Sequence, residues 1–324
     1  MDDLKKVFEI RKIRDSSARI YVSNLNRVSE AITGSPYNSN EFLKDFDKVK
    51  LFLGKLSNSV QKNVVSAILV AITKSKLVPV KGFTETYELY NMHLKDLYTA
   101  TEKVENQKSV RECANWLEWD DIINITDKKR KIIKSAGLNS TSKSGITGVN
   151  FELLQQYVIL SLYTMLPPKR LEYGDMEIIS EIEFNKLSDK EKEKKAYLVI
   201  YSKVKKYFAF GIDTLKSHND INVFEKIEIP KDLNKVLNVW LNYNKSKYLL
   251  LNEHGNILTR NGLTRQLLKI FEPYGKSISS QMIRKVYLSD INRDMFERQA
   301  KEAEICRKMN HSRKTAEKHY IKKI

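Results

Sequence analysis

Five side chains of this chain are of the types needed to cleave a phosphodiester without a metal: Arg170, Lys216, Arg284, His311 and Tyr320. A tyrosine hydroxyl can attack phosphorus, although its pKa near 10 leaves only about one phenol in a thousand ionised at neutral pH. The pentavalent transition state gathers negative charge, which the rigid forks of arginine hold best. The leaving 5′-oxygen needs a proton, which a lysine can donate. The set therefore predicts phosphoryl transfer to a tyrosine.

The order and context of these residues carry the prediction, because each alone has an ordinary explanation. Arg170 closely follows an apolar stretch and Pro167-Pro168, and Tyr320 follows His311 by nine positions. Alone, the arginine would be a surface residue at the start of a helix. The histidine would be a packed or solvated ring, and the tyrosine an aromatic plug for a C-terminal helix. Together and in this order, they favour one catalytic site.

The composition narrows the choice of partner. The 324 residues include 57 Lys+Arg against 40 Asp+Glu, a formal net charge of +17. A basic surface of this size suits a polyanion, and nucleic acid is the commonest one. The alternative is a lysine-rich protein from an AT-rich genome. No basic amphipathic anchor favours acidic lipid, so the partner we expect is double-stranded DNA.

The cysteines and the N-terminus indicate the compartment. Cys113 and Cys306 form no CxxC pair, which excludes a thiol zinc site or a disulfide scaffold. We expect no metal and no cofactor. Met1 precedes a charged run without secretory character, and no apolar stretch approaches the ~20 residues of a spanning helix. The sequence therefore predicts a soluble intracellular protein, in the cytoplasm or nucleus according to its DNA target.

The first hundred residues show apolar residues at helical spacing. Three such stripes are Tyr21, Leu25, Val28 and Ile32; Phe42, Phe46, Val49 and Leu53; and Val60, Val64, Ile68, Ala71 and Ile72. They predict a small helical bundle, which we bound at 1–98. A charged stretch without an apolar stripe, 99–112, is typical of a linker. The second domain is predicted at 113–324.

The second domain is predicted to mix helices with a small antiparallel sheet. An apolar helix at 151–166 must stop at the two prolines. The predicted strands are 197–201, 207–212 and 224–229, and the later helices are 233–250, 258–274 and 280 onward. The fold class is thus mainly α with a small antiparallel sheet, α+β. Lys216 falls at the turn after the second strand, and Lys203, Lys205 and Lys206, which precede a strand, compete for its role.

With these residues in order, the chain resembles the tyrosine recombinases, the phage-integrase family. That family has a helical core-binding domain and a catalytic domain. Its signature is an arginine, a lysine in a β-turn, His/Lys-x-x-Arg, and a His or Trp nine residues before the nucleophilic tyrosine. The resemblance covers nearly the whole chain. The Leu-Pro-Pro-Lys-Arg run ending at Arg170 is also similar to integrase-like proteins of large DNA viruses and their parasites.

The resemblance implies a role for each residue. Arg170 and Arg284 would clamp the scissile phosphate, and Tyr320 would form a 3′-phosphotyrosine bond. Lys216 would be the general acid, and His311 would hydrogen-bond a non-bridging oxygen. The stored bond energy would let a second DNA end reverse the step without ATP or metal. The implied activity is site-specific recombination: integration, excision or resolution.

The chain departs from the family pattern at two positions. Gln281 stands where His or Lys is usual, three residues before the second arginine. Glutamine can orient a phosphate oxygen but cannot exchange a proton near pH 7, which bears on catalytic speed more than on phosphate binding. Tyr173 stands where a glutamate is common, three residues after the first arginine, and Glu172 or Asp175 is then expected to support that arginine.

The resemblance also implies assembly, since family members act on DNA as tetramers whose protomers exchange a C-terminal element. Residues 321–324 are too few for a docked helix, because four residues extend at most about 14 Å. We therefore expect a homo-tetramer on DNA and mainly a monomer in its absence.

Three other functions remain open on sequence. A type IB DNA topoisomerase uses the same chemistry as a monomer, and the helical N-terminal domain favours the recombinase over it. A catalytically weak DNA-binding relative is supported by Gln281 and opposed by Tyr320. A metal-dependent nuclease or transposase would use the cluster Glu118, Asp120 and Asp121, which we interpret instead as a helix-capping turn.

Overall fold

The computed structural model describes residues 2–13, 15–75, 78–102, 108–138, 148–215 and 223–310. The chain divides into two compact units, Met1–Lys108 and Ser109–Ile324. Described helices are numerous and the single described sheet is small, so the fold is mainly α with a minor β component, as predicted. No helix in the described ranges has the length and apolar character needed to cross a membrane.

Unit 1 is a helical bundle. Its helices are α1 (Asp2–Ile10), α2 (Asp15–Thr33), α3 (Phe46–Leu53), α4 (Asn58–Ala71) and α5 (Thr84–Glu102), with a 3-10 turn at Glu41–Lys44. The predicted stripes supply its core: Leu25, Val28, Val49, Leu53, Val64 and Ile68 are fully buried. Their spacing of three or four residues puts them on one face of each helix. The stretch 99–112 contains the end of α5 and the beginning of the next helix.

Unit 2 surrounds one long buried helix. Its helices are α6 (Val110–Asn115), α7 (Trp119–Ser135), α8 (Gly148–Thr164), α9 (Glu181–Lys186), α10 (Asp189–Lys194), α11 (Lys231–Tyr243), α12 (Arg260–Phe271), α13 (Ser280–Ile291) and α14 (Arg293–Lys308). Helix α8 is apolar on most sides, as expected of a helix enclosed by others. It ends before Pro167-Pro168, as predicted, because proline lacks the N–H that would continue the helix.

The sheet of unit 2 has four strands in the order β1 (Glu177–Ser180), β2 (Ala196–Ile200), β3 (Lys206–Gly211) and β4 (Phe224–Glu228). The predicted antiparallel pairing holds for β2–β3 and β3–β4. The prediction missed β1, which pairs parallel with β2 and makes the sheet mixed. A parallel neighbour requires a crossover, and α9 and α10 provide it.

The helix predicted at 233–250 is shorter than expected, since α11 ends at Tyr243. The next residue, Asn244, has an extended backbone, and its side-chain amide donates to the carbonyls of Tyr248 and Leu249 at 2.8 and 3.1 Å. The Trp240 indole donates to the Leu249 carbonyl at 2.8 Å. These bonds turn the chain back and bury Leu249, so its apolar character reflects a return segment and not a helix face.

Candidate functional site

Arg170 lies in the segment that leaves α8. The Tyr163 hydroxyl donates to the Arg170 carbonyl at 2.5 Å, so the last turn of α8 holds this backbone in place. On its other side, Lys169 pairs with Glu225 of β4 at 2.5 Å and lies 5.0 Å from the centre of the Phe210 ring. Arg170 itself is half-buried. The segment is therefore fixed to both a helix and the sheet, which limits the positions that its side chain can take.

Arg284 and Gln281 lie on α13. Gln281 is exposed near the start of the helix, and Arg284 is half-buried three residues later. Residues at i and i+3 are neighbours on a helix surface. Two oxygens of one bound phosphate could therefore contact both side chains, as the resemblance implies.

Tyr163 connects the two arginine-bearing segments. Burial raises the pKa of Tyr163 well above its ordinary value, and Tyr173 and Glu172 raise it further; Ser280 and Arg284 of α13 oppose them. The same hydroxyl that bonds the Arg170 carbonyl is thus within electrostatic reach of the Arg284 guanidinium. The structure therefore brings the Arg170 backbone and the Arg284 side chain close to one tyrosine of unit 2.

The two arginines also share a lack of acidic partners. Within the described ranges, no carboxylate lies within salt-bridge distance of Arg170 or Arg284. By contrast, Arg293 of α14 contacts Glu118 at 3.1 Å and Asp290 at 2.8 Å. Two half-buried arginines without counter-ions, one whose backbone is bonded to the Tyr163 hydroxyl and one whose charge acts on it, make this neighbourhood a potential anion site.

Glu172 is an acid of this neighbourhood, since its charge helps to raise the pKa of Tyr163. It is 5% exposed, and its Oε2 is buried without a hydrogen-bond partner. Asp175 is exposed and lies 3.9 Å from Arg260, so neither acid forms the predicted ion pair with Arg170. Tyr173, at the usual glutamate position, instead packs in the core against Phe208. A phenol at that position therefore serves packing.

Lysines that could serve as the predicted general acid occur in two connections of the sheet. Lys216 belongs to the connection between β3 and β4 and lies outside the described residues, so its role stays a prediction. The tight turn between β2 and β3 carries Lys203 and Lys205, both exposed. Lys206, at the start of β3, is 3% exposed, and burial lowers its pKa. Of the three competitors, only Lys203 and Lys205 can reach a bound molecule in this conformation.

His311 and Tyr320 also lie outside the described residues, and their roles stay predictions. The rival acidic cluster is described. The Asp121 carboxylate accepts from the Glu118 backbone N–H at 3.1 Å, and Glu118 pairs with Arg293. This arrangement caps the start of α7, as predicted. Within the described ranges, no group of three His, Cys, Asp or Glu side chains is arranged to hold a metal ion.

Tyr163 is a residue that sequence reasoning missed, and its effect can be measured. Tyr163→Phe removes the hydroxyl that satisfies the Arg170 carbonyl, so we expect a loss of about 1–2 kcal/mol in the free energy of unfolding. Urea denaturation would measure it. Tyr173→Phe is the matched control, because its hydroxyl makes a longer bond of 3.4 Å to Leu162. Equal losses in the two variants would contradict the proposed anchoring of Arg170.

Helix α13 is also held from outside by the segment that opens unit 2. The Lys285 ammonium donates to the Glu112 carboxylate of α6. Just before α13, the Ser277 backbone N–H donates to the Asn115 side chain at 2.6 Å, and the Lys276 ammonium donates to the Ala114 carbonyl at 2.8 Å. Because α13 carries Arg284, these contacts help to fix its position.

The Glu112 contact predicts a pH dependence. Hydrogen bonds from Lys285 and Ser109 lower the pKa of Glu112 from 4.5 to about 2. A lowered folded-state pKa adds stability above the unfolded value, and that stability is lost as the pH falls from 4.5 towards 2. We therefore expect Glu112→Gln to lower Tm at pH 7 by an amount that disappears near pH 2.

Thermal unfolding of both proteins across this pH range would measure the difference. Glu297→Gln, at an exposed position of α14, is the control for the lost charge. A Tm difference between Glu112→Gln and the unchanged protein that stays constant from pH 7 to pH 2.5 would rule out the ion pair as its source.

Comparisons with known proteins add little to this site. No protein-family model matches the chain. Probable polyketide synthase 26 from Dictyostelium discoideum is similar to it, 24% identical over 205 residues, which is 63% of this chain. The chain spans only 8% of the length of that relative. Similarity at this level does not show a family, so the candidate site stands on the side chains of this chain.

Proposed function

We propose that this protein is a tyrosine recombinase that cleaves and rejoins DNA strands through a 3′-phosphotyrosine intermediate. The observation that carries the proposal is that Tyr163 lies beside both arginine-bearing segments: its hydroxyl donates to the Arg170 backbone carbonyl, and the charge of Arg284 acts on it. Both guanidinium groups are half-buried and have no acidic partner within the described ranges. Two such cations can hold the non-bridging oxygens of one phosphate.

In the proposed reaction the Tyr320 hydroxyl gives its proton to a water molecule as its oxygen attacks the scissile phosphorus. A new oxygen–phosphorus bond forms as the bond to the 5′-oxygen breaks. A lysine, Lys216 by sequence or Lys203 or Lys205 by position in the β2–β3 turn, protonates the leaving oxygen. His311 and Gln281 contact the phosphate oxygens. Attack by the 5′-hydroxyl of another strand reverses these steps and releases the tyrosine.

The partner in this proposal is double-stranded DNA, bound by a homo-tetramer that assembles on it. The formal net charge of +17 supports a polyanionic partner. Each phosphate that the protein contacts releases counterions, so the affinity should fall steeply as salt is added. A type IB topoisomerase has the same chemistry, and cleavage restricted to particular sequences would separate a recombinase from it.

The decisive experiment is covalent trapping on a nicked suicide substrate in excess EDTA. The nick lets the short 5′-terminated strand diffuse away after cleavage, so the adduct accumulates. We expect a protein–DNA adduct that survives denaturation and is digested by protease. The substrates should be a library of duplexes, because the preferred site must be found.

The outcomes separate the candidate functions. An adduct on a few sequences supports a recombinase, and an adduct on most sequences supports a topoisomerase. DNA binding without any adduct supports a catalytically weak relative. Cleavage that requires added magnesium and leaves no adduct would support a metal-dependent nuclease and reject the proposal.

A further inference from the structure

The turn between β2 and β3 is held by an unusual buried cation. The Lys206 ammonium donates three hydrogen bonds: to the Lys203 carbonyl at 2.8 Å, to Asn234 Oδ1 at 2.8 Å and to Asn238 Oδ1 at 2.5 Å. An ammonium has three donors, so its capacity is used fully. All three acceptors are neutral, and no carboxylate accepts from it within the described ranges.

The same turn receives further bonds from helix α11. The Lys203 carbonyl accepts from the side-chain amides of Asn234 and Asn238, at 3.1 and 3.0 Å, in addition to Lys206. Asn234 and Asn238 are four residues apart, so they lie on one face of α11. One backbone carbonyl is therefore held by three donors from two elements, which fixes the conformation at this point of the turn.

The buried charge of Lys206 has an energetic cost, yet the turn that it fixes is exposed at its tip. Burying an ammonium without a carboxylate is unfavourable, and an apolar side chain would fill the space more cheaply. The tip that it supports is exposed: Val204 is 84% and Tyr201 is 61% exposed, and Lys203 and Lys205 are exposed as well, with the Lys205 ammonium 5.3 Å from the centre of the Tyr201 ring. The arrangement suits a turn that must be rigid before it meets a partner.

The β2–β3 turn lies at a short distance from the segment that carries Arg170. Phe210, four residues along β3 from Lys206, lies under the Lys169 ammonium, beside Arg170. A strand rises about 3.3 Å per residue, so the base of the turn is on the order of 13 Å from that ring. A DNA strand covers this distance in about four nucleotides. Both regions can therefore contact one DNA strand.

We propose that Lys206, with Asn234 and Asn238, is a positioning residue that fixes the β2–β3 turn, so that Lys203 and Lys205 meet the DNA backbone within about four nucleotides of the cleaved phosphate. The inference rests on the proposed function, since it assumes DNA bound at Arg170 and Arg284. Lys206 itself does not touch the DNA, because its ammonium is enclosed by the three carbonyl oxygens.

The test compares Lys206→Met with Lys226→Met, a matched control on the adjacent strand β4, where the lysine is exposed and pairs with Glu228. Asn238→Ala is a milder variant that keeps the cation, in case Lys206→Met does not fold. Three quantities are measured: hydrogen exchange of the amides at 201–205, the rate of adduct formation at saturating suicide substrate, and the DNA dissociation constant.

We expect Lys206→Met to exchange the turn amides about tenfold faster and to form adduct about tenfold more slowly, with DNA affinity within about threefold. Asn238→Ala should change both rates in the same direction but less, and Lys226→Met should change neither. A purely structural role would not slow the step at saturating DNA once the protein is folded.

Unchanged exchange in Lys206→Met would overturn the claim that Lys206 fixes the turn. Faster exchange with an adduct rate equal to that of Lys226→Met would overturn the link to DNA cleavage. If the unchanged protein forms no adduct at all, the proposed function fails, and the positioning role in cleavage fails with it. Hydrogen exchange, which needs no DNA, would still decide whether Lys206 fixes the turn.

Discussion

Tyr320→Phe is expected to lower the rate of adduct formation by at least about 10³-fold while DNA affinity stays within about threefold. The aromatic ring is retained, but the oxygen that would attack phosphorus is gone, and phenylalanine offers no other nucleophile. The measurement is the rate of adduct formation on the nicked substrate, with affinity from a separate binding titration.

The control for this variant is Tyr274→Phe, which removes the same oxygen from an exposed tyrosine beyond α12. It should form adduct at the unchanged rate. Adduct formation by Tyr320→Phe at the rate of the unchanged protein would remove Tyr320 from the mechanism. A parallel loss in both variants would indicate a general effect of the substitution and not the loss of a nucleophile.

Local patterns explain which elements could be predicted from the sequence. The apolar stripes of α2 and α4 follow directly from helical periodicity, and the end of α8 follows from the chemistry of proline. Strands β2, β3 and β4 are rich in aromatic and β-branched residues and are separated by polar turns. Each of these signals acts over a few residues, so none requires knowledge of the tertiary structure.

Strand β1 could not be predicted, because its signal is non-local. Its four residues, Glu177–Ser180, are too short to show alternation, and it becomes a strand by pairing parallel with β2 across two short helices. The same limit explains the helix wrongly extended past Tyr243. The apolar residues Leu249 and Leu250 are buried by a reversal of the chain, which Asn244 produces through side-chain hydrogen bonds.

The candidate site shows the same difference between what local patterns predict and what only the fold reveals. Residue order predicts Arg170, Gln281 and Arg284 as site residues, but it cannot show that Tyr163 lies beside both arginine-bearing segments. A tyrosine on a buried helix is usually a packing residue, and only the fold reveals its hydroxyl partners. Lys206 appeared on sequence as a competitor for the general acid. Its burial, which sequence could not show, keeps its ammonium from contact with a bound molecule.

Arg284→Gln is expected to slow adduct formation at saturating DNA by about 10²–10³-fold. Removal of one preorganised group that stabilises developing charge typically has this effect. Arg284→Lys should recover only part of the loss, because a point charge cannot replace the bidentate fork. The control is Arg293→Gln, which removes the same charge from the next helix, where the guanidinium already pairs with Glu118 and Asp290.

The double variant with Arg170→Gln tests whether both arginines act on one phosphate. If they clamp the same group, the first substitution already disrupts the site, so the two free-energy changes should not add. The double variant would then be only slightly slower than the slower single variant. Strictly additive losses would place the arginines on separate phosphates. Losses no larger than that of Arg293→Gln would show that the arginine pair does not serve cleavage, because general charge depletion would then account for the effect.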